Sequence, residues 1–141
     1  MAKIAIMGFG TVGGGVAKVL EMNQAQIAAA VGEEVSLKYI LDVRDLSGTP
    51  YASQGIHDFS IIENDPEVEV VVESIGGAKV ALDFTRRALQ AGKHVVTSNK
   101  ELVATHGKEL LSIAKVRGVN YLFEASVGGG IPVLRPLFQC L

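Results

Sequence analysis

The segment Gly8-Phe9-Gly10-Thr11-Val12-Gly13 constrains this chain more than any other. It follows the apolar run Lys3-Ile4-Ala5-Ile6-Met7 and precedes a helical pattern. Each glycine has a physical reason to be there. The first permits a tight turn out of a strand, the second lets a ligand approach the backbone, and the third lets helix and strand pack closely. The helix opening at Thr11 also presents unpaired N–H groups and a partial positive charge. Such a turn suits an anion. In a strand–turn–helix setting the expected anion is the pyrophosphate of a dinucleotide.

The remaining periodicity agrees with that setting. Thr11 to about Ala30 reads as one helix, with Val12, Val16, Val19, Leu20 and Ile27 sharing a face. Val35 to Leu41 is a strand, and Leu46 to Gly55, rich in Ser, Gly, Thr and Pro, is a loop. The stretch through Phe59, Ile61 and Ile62 is ambiguous. Val68 to Glu73 is a β-branched strand; Val80 to Ala91 is a helix with Val80, Phe84 and Ala88 on one stripe, closed by Gly92. A strand His94 to Thr97, a helix Lys100 to about Val116 and a strand Asn120 to Phe123 follow, then the turn Gly128-Gly129-Gly130 with Pro132 suited to a further helix start. Strands alternating with helices require right-handed crossovers. The expected fold is α/β: a Rossmann-type, doubly wound, mainly parallel sheet with helices on both faces, formed by residues 1–141 as one domain.

Composition removes other classes. Net charge is −2 with the 13 basic residues scattered, so no basic stripe argues for nucleic acid. No apolar run approaches the ~20 residues that cross a bilayer, and the residues ahead of the first strand lack the pattern expected of a signal peptide. The expectation is a soluble cytoplasmic protein. A single cysteine, Cys140, excludes an intrachain disulfide and a multi-cysteine metal site. It also lacks a neighbouring base that would make it a nucleophile. His57, His94 and His106 have no metal-ligand spacing and read as structural or exposed. The chain ends at Phe138-Gln139-Cys140-Leu141 inside an apolar segment without a stop signal, which leads to the expectation of a fragment.

The end of the second strand bears on NAD against NADP. An acid there accepts hydrogen bonds from ribose hydroxyls, whereas an arginine pairs with a 2′-phosphate. Leu41-Asp42-Val43-Arg44-Asp45 supplies both, and Arg44 is the favoured phosphate ligand. Asp42 lies 29 positions after Gly13, beyond the usual ~20, so the first crossover is long.

Three further motifs occur in order: Glu73-Ser74-Ile75-Gly76-Gly77, then Ala91 to Lys100 with Thr97-Ser98-Asn99-Lys100 at its end, then Glu124-Ala125-Ser126-Val127-Gly128-Gly129-Gly130-Ile131-Pro132. With the glycine turn they make the chain resemble the N-terminal nucleotide-binding region of homoserine dehydrogenase over nearly its whole length. The resemblance implies NAD(P)-dependent interconversion of L-homoserine and L-aspartate 4-semialdehyde, a step toward threonine and methionine. It implies that Lys100 lies by nicotinamide and substrate, in cofactor contact or proton transfer. It implies a sodium ion held by Glu124 with carbonyls of Val127, Gly129 and Ile131, a backbone contact from Gly76, and a homo-oligomeric parent whose substrate region is absent from this chain. On chemical grounds a cation at Lys100 suits the alkoxide left by hydride transfer to an aldehyde. The isolated chain is accordingly expected to bind nucleotide and to turn over slowly or not at all. Two other readings stay open at this point: a different NAD(P) dehydrogenase on the same fold, and a module that senses a nucleotide without chemistry.

Overall fold

A computed structural model describes residues 1–123 of the chain. Six strands form one sheet: β1 (Ala2–Met7), β2 (Val35–Leu41), β3 (Gly55–Ile56), β4 (Val68–Glu73), β5 (His94–Thr97) and β6 (Tyr121–Phe123). Their order is β3-β2-β1-β4-β5-β6, and every pairing is parallel. This is the doubly wound order, in which the chain reverses its direction of sheet building between β1 and β4. Helices α1 (Thr11–Met22), α2 (Gln24–Val31), α3 (Phe59–Glu63), α4 (Lys79–Gln90) and α5 (Lys100–Arg117) cross between the strands.

A sheet covered on both faces needs strands that are apolar on both sides. β1 meets this need with Ile4 and Ile6 on one face and Ala5 and Met7 on the other, all fully buried. The first face joins Val70, Val72 and Val96 beneath Val16, Leu20 and Ile27. The second joins Val71 and Val95 beneath Phe59, Leu89 and Leu110. No described helix is long and apolar enough to cross a membrane.

Several expectations change in detail. The helix expected from Thr11 to about Ala30 is two helices, interrupted at Asn23, whose side-chain amide donates to the Val19 carbonyl at 3.1 Å. Asparagine competes for backbone groups in this way and favours a break. Val12, expected on the buried face, is 45% exposed. Of the stripe Val80, Phe84, Ala88, Ala88 is fully buried, Phe84 packs against the core in part and Val80 is exposed; Ala81, Thr85 and Leu89 complete the buried face. The segment expected as loop ends in a short 3-10 turn, Ala52–Gln54, and the two-residue β3. The ambiguous stretch is α3, capped by Asp58, whose carboxylate accepts from the Ser60 N–H at 2.9 Å.

Candidate functional site

The C-terminal ends of β1, β2 and β4 surround a cleft of about 380 Å³, within the size range of small-molecule sites. Its wall includes Gly8, Gly10, Asp42, His57, Ser74 and Phe84. In an open α/β sheet, ligands occupy the crevice at the strands' carboxyl ends where the strand order reverses. The cleft lies at that position.

Gly8 leaves β1 with φ +88°, and a Cβ there would stand 2.9 Å from the Ser74 backbone. A Cβ on Gly13 would meet the Gly8 carbonyl oxygen at 2.1 Å. Gly10 is different. Nothing lies within 4 Å of its notional Cβ, and α1 has no side-chain cap, so the first-turn N–H groups face open space. Ser74, directly after β4, holds the turn in place: its hydroxyl donates to the Gly8 carbonyl at 2.7 Å and lies 3.1 Å from that of Met7. Space beside Gly10 and free N–H groups at a helix start fit a pyrophosphate.

Asp42 and Arg44 form one unit. Asp42 accepts the Phe9 N–H at 2.7 Å and the Arg44 N–H at 2.8 Å. The Arg44 guanidinium reaches the same carboxylate at 3.1 Å and also donates to the Phe9 carbonyl. The hydrogen bond from the Arg44 side chain, with those from the two backbone N–H groups, holds the Asp42 carboxyl far below the usual carboxylate range despite partial burial. An acid clamped on the glycine turn therefore lines one end of the cleft, with a 60% exposed arginine folded over it. His57, which sequence reasoning assigned no role, lines the same end, its Nδ1 lying 2.7 Å from the Asp42 carbonyl oxygen.

At the other end, the residues that carried the resemblance come together. Gly76 is exposed on the cleft wall. Lys100 is exposed at the first position of α5, directly after its cap. The cap is Asn99, whose Oδ1 accepts the Leu102 N–H at 3.0 Å. Its side-chain nitrogen donates to the carbonyls of Ile75, at 3.1 Å, and Gly77. One buried asparagine thus ties the helix bearing Lys100 to the loop bearing Gly76. Beneath it, the Thr97 hydroxyl accepts the Asn99 N–H at 2.9 Å and donates to Glu73 at 2.7 Å. The sequence signal for these roles was present: polar residues terminating the apolar strands β4 and β5.

Other members of the same motifs serve elsewhere. Lys93 is 4% exposed and donates to the carbonyls of Asp65, at 2.7 Å, and Val68, at 2.9 Å, beside the entrance to β4. The His94 ring accepts the Asn120 N–H at 3.0 Å, which stitches β5 to β6, and burial lowers its pKa. The sodium expectation (Glu124, Val127, Gly129 and Ile131), the Gly128–Gly130 turn and Cys140 lie outside the described residues. Among the described residues no group of three or more His, Cys, Asp or Glu is placed to hold a metal.

Comparison with known proteins converges on one family. The family model described as the NAD-binding domain of homoserine dehydrogenase matches residues 8–124. A homoserine dehydrogenase of Pseudomonas aeruginosa is 41% identical over 99% of this chain and 32% of its own length. The crystal structure of a homoserine dehydrogenase from Thiobacillus denitrificans superposes with a TM-score of 0.85 at 36% identity, over 96% of this chain and 32% of that one. A hyperthermophilic archaeal homoserine dehydrogenase in complex with NADPH shares the fold, with a TM-score of 0.74 at 24% identity over 96% of this chain and 47% of that one. The chain thus spans about a third of the length of the Pseudomonas and Thiobacillus proteins.

Proposed function

Because the chain belongs to the homoserine dehydrogenase family, through that family's NAD-binding domain, we propose that residues 1–141 form the NAD(P)-binding domain of an oxidoreductase interconverting L-homoserine and L-aspartate 4-semialdehyde, a step toward threonine and methionine. The observation that carries this reading is the cleft at the reversal of strand order, with Gly10 open to a ligand and Lys100 tied to the far wall through Asn99. Gly8, Phe9, Gly10, Thr11, Val12 and Gly13 form the pyrophosphate turn; the N–H groups of α1 hold the negative charge there. Asp42 keeps the turn in register by accepting the Phe9 N–H. Arg44 is the candidate ligand of a 2′-phosphate, so NADP is the favoured cofactor. Gly76 lines the nicotinamide half by its backbone. When bound, the cofactor supplies the hydride exchange. Lys100 provides a cation next to the reacting oxygen, where it can stabilise or protonate an alkoxide.

The proposal extends to a cytoplasmic, homo-oligomeric protein acting on a small molecule, with no role at nucleic acid or membrane. It also includes a sodium ion on Glu124, Val127, Gly129 and Ile131, which rests on the family resemblance alone.

Titration of the chain with NADPH and NADH tests the cofactor assignment. Arg44→Ala should weaken NADPH by roughly tenfold to a hundredfold, the range for losing a charged hydrogen bond, and leave NADH nearly unchanged. Equal weakening of both would assign the contact to Asp42 and the ribose instead. In a full-length protein carrying this domain, homoserine-dependent reduction of NADP should fall on the order of a hundredfold or more with Lys100→Ala, as expected for loss of a proton-transfer or charge-stabilising group. An unchanged rate would favour a nucleotide-sensing role.

A further inference from the structure

Glu73, the last residue of β4, is fully buried. Its two carboxylate oxygens each meet one donor: the Ile75 N–H at 2.7 Å and the Thr97 hydroxyl at 2.7 Å. The same Thr97 hydroxyl also accepts the Asn99 N–H at 2.9 Å. Those hydrogen bonds favour the ionised form, while burial, the larger effect, raises the carboxyl above its ordinary range. Among the described residues no lysine, arginine or histidine reaches it at salt-bridge distance. A buried charge without a counter-charge is costly, and such an arrangement persists where the charge is put to use.

The carboxylate holds the Ile75 N–H, in the segment Ser74–Gly76 that follows β4 and lines the cleft. In a doubly wound sheet the dinucleotide spans the reversal point, with one half toward β2 and the other beyond β4. Asp42 and Arg44 mark the β2 side as the adenosine end, so the Glu73 end is the nicotinamide end. The nicotinamide ring is cationic when oxidised and neutral when reduced. We propose that Glu73 is the missing counter-charge of that ring, a buried carboxylate that makes the site favour the oxidised cofactor over the reduced one. This assignment rests on the reading of the cleft as an NAD(P) site. It gives Glu73 an electrostatic role without contact: the fully buried side chain acts from behind the segment that carries Ile75, where screening is weaker than in water.

The experiment compares equilibrium binding of NADP⁺ and NADPH to the chain and to Glu73→Gln. Glutamine can accept the Ile75 N–H and donate to Thr97, so the network keeps two bonds without the charge. The expected result is weaker NADP⁺ binding by about five-fold, the size of one charge felt through a partly screened interior, with NADPH affinity preserved. Glu73→Asp, which keeps the charge, should retain most of the wild-type ratio between the two forms. Thermal unfolding establishes that each variant is folded; should the glutamine variant not fold, Glu73→Met makes the same charge deletion with an apolar side chain of similar length. Equal weakening of both forms, or no change in either, overturns the role of Glu73 and leaves the NAD(P) reading intact. Failure of the unsubstituted chain to bind either form overturns both.

Discussion

Gly13 and Gly10 look alike in the sequence and differ in the folded molecule. A side chain at Gly13 would collide with the Gly8 carbonyl at 2.1 Å, a backbone atom that Ser74 also binds. Gly13→Ala should therefore force the turn and α1 apart and lower stability by about 3 kcal/mol or more, the upper range of overpacking. Gly10 has ordinary backbone angles and open space beside it, so Gly10→Ala should leave the urea midpoint almost unchanged. That methyl would instead fill the space reserved for pyrophosphate and weaken nucleotide binding by tenfold or more, on the order of a lost charged hydrogen bond. Urea unfolding with nucleotide titration of both variants separates the roles. A Gly10→Ala variant that binds normally would remove the pyrophosphate from this turn. The glycine spacing was legible because the steric demands are local. The partners were not: Asp42 and Ser74 come to the turn from two other strands, and nothing near residue 9 announces them.

Between elements, Asp65 does work that no motif announced. Its carboxylate accepts the Tyr39 hydroxyl at 2.7 Å and the Glu67 N–H at 2.9 Å, and pairs with Lys38 at 2.6 Å. Its carbonyl receives the buried Lys93 ammonium. Thus β2, the entrance to β4 and the start of β5 meet at one residue, which the sequence presented as an interruption, Asn64-Asp65-Pro66. The Lys38 hydrogen bond, followed by that of Tyr39, lowers the Asp65 carboxyl to about 2 from an ordinary value of 3.8. A carboxyl lowered on folding stabilises the native state above its ordinary pKa and loses that contribution as pH falls through the folded value. Asp65→Asn should be less stable than the unsubstituted chain at neutral pH, and the gap should close between about pH 4 and pH 2. Unfolding midpoints measured across that window check the sign; a gap that stays constant would show that Asp65 acts through packing alone. In α4, Val80 and Phe84 share a stripe by spacing, yet Val80 is exposed on the cleft wall while Phe84 both lines the cleft and stacks on the core residue Phe59, ring centroids 4.8 Å apart. Periodicity gives a face of a helix, but not whether that face meets the sheet or the ligand site.

Across the whole molecule, alternation of strands and helices, the apolar character of both faces of β1 and β4, and the glycine turn determine a parallel doubly wound sheet. These are short-range consequences of backbone sterics and side-chain transfer from water, so they can be read from neighbouring residues. The motifs Thr97 to Lys100 and Glu73 to Gly77 likewise identified a family without coordinates. What only the tertiary structure decided is how separated residues combine. It folded Arg44 over Asp42, which sequence reasoning had set against each other as alternatives. It sent Lys93 into the fold while leaving Lys100, seven positions later, at the open end of the sheet. And it buried Glu73 behind the segment that carries Ile75, with two neutral donors and, among the described residues, no cation. A charge's meaning depends on its solvent exposure and on partners brought from distant strands, and both arise only when parallel pairing sets the register of β1, β4 and β5.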